Sequence, residues 1–301
     1  MYQHHRILVH IHMYYMHMWE ELRSYLETLD ALQCSYDLYV TIISEDKDTI
    51  TKIRHFNPDA RILMVENKGY DVGPFIQVLN EVDLSQYSYI IKLHTKRDIY
   101  HIPEPGWTKK SPFNLYGKRW RESLLSFMKK GNLEKCLQSL EEDSQLGMIN
   151  CYRCIVPSFH KTEAKLLEVQ QGAELLLKRV NLALQVSRYI KGTMFIARAS
   201  LFQKIKEMGL TLNDFPPPDP EHSNNIAHHL EVALGSIVVA QGYKVEDTFT
   251  PNVKLKAGAE RCYINMRRKI GKFFYQKKKT KSGRTIIKVC KIPVYSSRKK
   301  N

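Results

Sequence analysis

Four strand-like segments, each separated from the next by a helix-length stretch, constrain this chain more than any other feature. Residues 6–12 (Arg-Ile-Leu-Val-His-Ile-His), 36–43, 61–65 and 87–93 are rich in β-branched and aromatic side chains, the composition of a pleated, half-buried strand. Between them, residues 18–32 carry Trp19, Leu22, Leu26 and Leu29 at spacings of three and four, which predicts a helix. Ser44 is placed to cap a second helix that begins at Glu45 and ends at Asn57-Pro58, and residues 74–82 read as a third. The order β-α-β-α-β-α-β specifies an α/β domain whose central sheet is mainly parallel and flanked by helices.

The pattern continues less regularly. Residues 98–118 hold three prolines and no period, and read as a long loop; helices follow over 119–130 and 133–142, then a short strand over 146–150. A long helix is expected over 162–186, and a strand over 188–198 with Gly192 inside it. A helix follows over 201–208, an irregular proline-rich loop over 213–225, a helix over 226–234 and a last strand over 237–245. Loops this long in a compact domain are usually binding loops or lids.

Charge divides the chain in two. The whole carries 46 Lys+Arg against 31 Asp+Glu, a formal +15. Residues 254–301 hold 17 of the bases and one acid, Glu260; removing them leaves 29 bases and 30 acids in residues 1–253. The body, 1–253, is thus near neutral, and the basicity belongs to a C-terminal extension, 254–301. There Tyr263, Met266, Ile270 and Phe273/Phe274 form one apolar stripe at helical spacing, with Arg267, Arg268, Lys269 and Lys272 around it and Lys277–Lys279 and Lys281 beyond. A basic amphipathic helix with aromatics suits an anionic membrane surface. A solvated helix packed on the domain and a basic arm on nucleic-acid phosphates are the other readings. The neutral body disfavours the last, because the main cleft of a nucleic-acid enzyme is normally basic too. No run of about 18 apolar residues is present, so no spanning helix is expected. The chain enters its first strand at once, so neither is a cleaved leader.

Ligands of open parallel sheets bind beyond the carboxyl ends of the strands. His10, His12, Tyr14 and Tyr15 follow the first strand, Asn67–Phe75 the third, and Lys92–Asp98 the fourth. In the second of these, Gly69, Gly73 and Pro74 suit close backbone approach to a ligand at a helix start. Asp71 there could accept hydrogen bonds from a sugar or ribose, or simply cap the helix. In the third, Lys92, His94, Thr95, Lys96 and Arg97 form a set able to neutralise a diphosphate and stabilise it as a leaving group. Strand alternation puts Lys92 and His94 on one face. Near the terminal helix, Glu221, His228 and Glu231 form an acid–histidine set suited to a general base and its orienting partner, with His228 and Glu231 three residues apart on one helix face. No metal motif is convincing. Asp46-Lys47-Asp48 is better explained by helix-dipole acids. The lone Cys151-x-x-Cys154, with His160 the nearest further ligand, is better read as incidental thiols than as a zinc site.

These blocks, in this order, resemble the rhamnan synthesis F family of polysaccharide-assembly glycosyltransferases. The matching pieces are Val9–His12 with Tyr14, Tyr15 and Trp19, then 36–41, Asn67–Phe75, Lys92–Lys96, Gly192–Arg198 and Ala227–Glu231. The resemblance covers residues 7 to about 245 and leaves out the extension. It implies a GT-A-like domain and a nucleotide-sugar-dependent transferase, with the nucleotide sugar as co-substrate and no certain metal. The sugar, with rhamnose a candidate, would pass to a growing, lipid-linked cell-surface polysaccharide or lipopolysaccharide. A galactose or galactofuranose donor, or a non-catalytic scaffold of polysaccharide assembly, are the alternatives.

On that resemblance His10, His12, Asp71, Gly73, Lys92, His94, Thr95 and Lys96 would bind the donor. Gly192, Thr193 and Met194 would lie under the acceptor, and Glu221, His228 and Glu231 would act in catalysis. The extension would hold the enzyme peripherally on the cytoplasmic face of the membrane, with no nucleic-acid partner. The chain departs from the family pattern where that has Asp-Gly before the terminal helix and Arg after the Glu; here stand Ser223, Asn224 and Val232.

Overall fold

The computed structural model describes residues 4–96, 117–150, 155–156, 164–184, 189–190, 192–219, 224–247, 275–279, 285–289 and 292–296. Contacts divide the chain into two compact units, Met1–Tyr100 with Leu115–Thr248, and His101–Asn114 with Phe249–Asn301.

The first unit is built on strands β1 (Arg6–Met13), β2 (Ser35–Ile42), β3 (Arg61–Met64), β4 (Tyr89–His94) and β5 (Leu146–Asn150). A two-stranded ribbon of β6 (Ile155–Val156) and β7 (Tyr189–Ile190) follows, then β8 (Phe195–Arg198) and β9 (Lys244–Asp247). Seven of these form one sheet in the order β3-β2-β1-β4-β8-β5-β9. β1 pairs in parallel with β2 and β4, β2 with β3, and β5 with β9; only β8 runs against its two neighbours. The expected α/β architecture with a mainly parallel sheet is therefore present. The helices are α1 (Trp19–Ala31), α2 (Lys47–Phe56), α3 (Val72–Glu81), α4 (Gly117–Leu124), α5 (Asn132–Glu142), α6 (Ala164–Lys178), α7 (Gln203–Glu207) and α8 (Ile226–Ala240).

Strand alternation sorts β1 and β4 onto two cores. Ile7, Val9 and Ile11 of β1, with Ile91 and Leu93 of β4, pack with Trp19, Leu22 and Leu26 of α1 on one face. Leu8 and Ile90 belong to the core on the other face, with Phe75 and Leu79 of α3 and Leu230 and Leu234 of α8. On this second face the next residues toward the carboxyl ends are His10 and His12 in β1 and Lys92 and His94 in β4, paired His10–Lys92 and His12–His94 across the ladder. One sheet face thus turns from apolar to titratable as it approaches its carboxyl edge.

Several boundaries differ from the sequence reading. Asp46, not Ser44, caps α2, its carboxylate accepting from the Thr49 amide at 3.3 Å. The strand expected over 188–198 is two strands broken at Gly192 and Thr193, whose φ angles are +84° and +45°. The long helix over 162–186 closes at Lys178. The apolar run 237–240, expected in the last strand, belongs to α8, and β9 begins only at Lys244. Among the described residues no helix is long and apolar enough to cross a membrane.

In the second unit the stripe 263–274 lies outside the described residues. Past it, where a helical extension was expected to continue, the chain forms an antiparallel meander of β10 (Tyr275–Lys279), β11 (Thr285–Val289) and β12 (Ile292–Ser296).

Candidate active site

At the carboxyl edge of the sheet lies a cleft lined by Tyr70, Asp71, Val72, His94, Lys96, Gly192, Thr193, Ala227, His228 and Glu231. Its walls come from the turn before α3, the end of β4, the break between β7 and β8, and the first turns of α8.

The floor is built around one carboxylate. Asp71 sits at the start of α3, but its side chain caps no backbone amide. Its Oδ2 instead accepts from Lys92 Nζ at 2.5 Å and from the Thr193 hydroxyl, and lies 3.4 Å from His94 Nδ1. Lys92, 0% exposed, also donates to the Thr193 carbonyl at 3.1 Å and lies 5.5 Å from the centre of the Phe75 ring. A buried ammonium without a partner would be prohibitively costly, so this lysine must carry its anion with it. Burial pulls Lys92 below its ordinary value, against the pull of Asp71. Burial also opposes the charged form of Asp71, but the pull of His94 and Lys92 beside it and the hydrogen bonds from Lys92 and Thr193 outweigh it and hold this carboxyl well below the usual range.

Three histidines lie on the same sheet face. Burial lowers His94 to about 3, with Lys92 and Lys96 adding to the effect and Asp71 opposing it. Burial lowers His12 to about 4, and lowers His10 well below the ordinary histidine value with help from Lys92. All three are neutral at pH 7, so Lys92 is what keeps Asp71 ionised. His10 Nε2 and His12 Nδ1 each lie 3.0 Å from the Thr41 hydroxyl of β2, and His10 stacks on Phe75 at 5.6 Å. These two support the floor from beneath and do not line the cleft.

The walls are held by non-local contacts. Thr95 Oγ1 accepts from the amides of Tyr14 and Tyr15 at 3.0 Å, tying the end of β4 to the end of β1. Arg121 Nε of α4 donates a hydrogen bond shared between the two carboxylate oxygens of Glu21 in α1, at 2.8 and 2.9 Å, and its Nη1 donates to the Lys96 carbonyl at 3.1 Å. On the other side, the Gly69 amide donates to the Pro216 carbonyl at 3.1 Å and the Tyr70 hydroxyl to the Asp219 carbonyl at 3.1 Å. The proline-rich loop thereby docks on the turn before α3. The Gly192 amide donates to Glu231 Oε1 at 3.4 Å, joining α8 to the break between β7 and β8. Of the four described non-glycine residues with positive φ, Tyr70 and Thr193 line this cleft; such backbone is held only where surrounding structure enforces it.

The structure therefore brings together Asp71, His94, Lys96, Gly192, Thr193, His228 and Glu231 from the sequence-derived candidates, and separates the others. Lys92 is a buried anchor for Asp71, with no exposure through which to meet a diphosphate. Gly73 lies inside the first turn of α3, where an added Cβ would meet the Lys68 carbonyl at 2.5 Å. Met194 is fully buried in the core below the sheet and does not line the cleft. Thr95 acts as a backbone brace. Glu221, Arg97, Ser223 and the Cys151/Cys154 pair lie outside the described residues. Tyr70, Arg121 and Asn225 were not read from the sequence; only Asn225 left a local signal there, as a helix-capping residue type directly before the terminal apolar run. Among the described residues the one His/Cys/Asp/Glu group with metal-holding geometry is His4, His5 and Glu141, beside the opposite, amino end of β1.

The family model described as rhamnan synthesis protein F matches residues 1–243. The chain belongs to the rhamnan synthesis protein F family. It is also 24% identical over 244 residues to the uncharacterized protein WxcX of Xanthomonas campestris pv. campestris (strain B100), with 76% of this chain and 32% of that one covered. The chain thus spans about a third of the length of the curated relatives it matches. Among solved structures, TarS 1-349 of S. aureus is similar with a TM-score of 0.42 at 12% identity, over 80% of this chain and 57% of that one. The mannosyltransferase PcManGT from Pyrobaculum calidifontis gives 0.36 at 10% identity, over 81% and 54%. Glucosyl-3-phosphoglycerate synthase from Mycobacterium tuberculosis gives 0.33 at 11%, over 97% and 90%.

Proposed function

We propose that this chain is a glycosyltransferase that moves a sugar from a nucleotide-sugar donor to a glycan acceptor in polysaccharide assembly. Membership in the rhamnan synthesis protein F family supports the class of pathway. The observation that carries the chemistry is the convergence of Asp71, His94, Lys96, His228 and Glu231, from three separate chain segments, on one cleft beyond the carboxyl ends of parallel strands. A sheet with a single reversed strand is consistent with the GT-A-like scaffold that the sequence resemblance implied.

Transfer at an anomeric carbon develops positive charge on the sugar and negative charge on the departing diphosphate. In this reading Lys96 faces the diphosphate, and neutral His94 can donate one N–H to it. Asp71 is a poor base, because its environment favours the ionised form. It is suited to accept hydrogen bonds from a ribose or donor-sugar hydroxyl while Lys92 holds it in place. Proton removal from the acceptor hydroxyl falls to the α8 side of the cleft, to His228 or Glu231. The acceptor is a lipid-linked glycan, and residues 254–301 hold the enzyme at the anionic cytoplasmic face of the membrane through their excess of cations.

A thermal-shift screen against common nucleotide sugars tests the reading, since a ligand that binds the folded state alone raises its melting temperature. One nucleoside diphosphate family should stabilise the protein, and Lys96→Ala should weaken that shift. A protein that responds to no nucleotide would instead be a scaffold. Deletion of 254–301 should abolish binding to vesicles containing anionic lipid; retained binding would remove the membrane role.

A further inference from the structure

We infer that Asn225 is a positioning residue that fixes the tautomer of His228 and so makes His228 Nε2 the proton-accepting atom of the cleft. The inference rests on the transferase reading for its catalytic meaning, but its geometry stands on its own.

Asn225 caps α8. Its side-chain Oδ1 lies 3.1 Å from the Ala227 amide, 3.3 Å from the His228 amide and 2.9 Å from His228 Nδ1. Backbone amides only donate, so the Asn225 atom that meets two of them must be the carbonyl oxygen rather than the amide nitrogen. An amide oxygen has no proton to give. The His228 nitrogen beside it is therefore the one that carries hydrogen. In a neutral imidazole the other nitrogen, Nε2, then holds a lone pair. The capping interaction that starts the helix thus also chooses which ring nitrogen is basic. Tyr70 meets the same ring edge-on at 5.4 Å, restricting its rotation, and His228 lines the cleft. His229 offers no equivalent, since its Nε2 meets the Asn224 side chain at 2.7 Å and its ring packs on Gly172 of α6.

The consequence is a division of labour among the groups around the cleft. Asp71 is committed to Lys92 and Thr193, and His94 is kept neutral by burial. Glu231 accepts from the Gly192 amide. His228, oriented by a neutral partner rather than a carboxylate, accepts the acceptor-hydroxyl proton at Nε2 as the new glycosidic bond forms. The bond from the anomeric carbon to the diphosphate breaks, and its electron pair leaves with the nucleoside diphosphate. Among the described residues, the charged and titratable groups around His228 are Asp71 and Tyr70 from the turn before α3, Lys96 and His94 from the end of β4, and Glu231 and His229 on its own helix.

The experiment reads the ring nitrogens of His228 by nitrogen-15 NMR in the 301-residue chain, with His228→Gln used for assignment. Wild type should show Nδ1 protonated and Nε2 bare at neutral pH. Asn225→Ala should lose that preference, and Asn225→Asp, which keeps an accepting oxygen at the cap, should retain it. Circular dichroism checks that each variant folds. Transfer should fall at least about tenfold in kcat with little change in KM for Asn225→Ala. It should recover in Asn225→Asp, which restores the accepting oxygen beside the ring. A wild-type ring protonated on Nε2, or Asn225→Ala with unaltered tautomer and rate, would overturn the inference. Wild type with the expected tautomer but no transfer from any donor would overturn the transferase reading instead.

Discussion

Acid should destabilise this fold steeply, and the size of the effect follows from three buried side chains. His10, His12 and His94 are 0%, 3% and 5% exposed, and burial holds all of them below the ordinary histidine value of 6.5. In the unfolded chain each takes up a proton as the pH falls through about 6.5; in the folded chain His12 waits until about 4 and His94 until about 3. A depressed folded value means stability that is fully present above 6.5 and is lost on the way down. Each neutral histidine contributes a slope of about 1.4 kcal/mol per pH unit, so the three together approach roughly 4 kcal/mol per unit near pH 5. Integrated between about pH 7 and pH 5 the loss is roughly 5 kcal/mol, comparable with the whole stability of many domains. Most carboxylates are ionised in both states across this window and add little. Urea unfolding followed by circular dichroism at several pH values measures the slope directly. His12→Gln should reduce it by about 1.4 kcal/mol per unit. A wild-type slope below about 1 kcal/mol per unit would refute the claim that these rings are buried and neutral.

Other outcomes follow from the same floor and walls. Lys92→Met should cost about 3–5 kcal/mol, because it leaves the Asp71 carboxylate without its main partner, and adding Asp71→Asn should recover most of that loss; additive effects in a double-mutant cycle would show that the pair is not coupled. Gly69→Ala places a Cβ within 2.5 Å of the Phe215 ring at a φ of +67°, so denaturant unfolding should show a loss of about 1–3 kcal/mol. Arg121→Ala should lower transfer more than stability, since it frees the backbone that presents Lys96, and a kcat equal to wild type would argue against that role.

Much of the fold was legible because β1 to β4 are short, alternating and separated by helices of ordinary length. The misread places share a physical cause. Residues 237–240 are apolar on every side because α8 is buried almost all round, and a continuous apolar run carries no period to tell strand from helix. The break at Gly192 and Thr193 depends on positive φ, which a Thr conceals. Of the site, alternation put Lys92 and His94 on one face, and both do approach Asp71. It did not show that this face closes over Lys92 while Lys96, four residues on, stays at the cleft. That distinction is set by a carboxylate 21 residues earlier and a threonine 101 residues later, contacts with no trace in local sequence. The capping Asn225 was visible as a residue type, but its second task needed the position of the His228 ring.

The most direct test of the central claim is release of nucleoside diphosphate from a panel of nucleotide sugars in the presence of a detergent-solubilised lipid-linked glycan, comparing wild type with Lys96→Ala. Acceptor-dependent release from one donor class is expected, lowered about 100-fold in the variant as the leaving group loses its cation. Release from no donor by a folded wild-type protein, or equal rates in the two proteins, would contradict it.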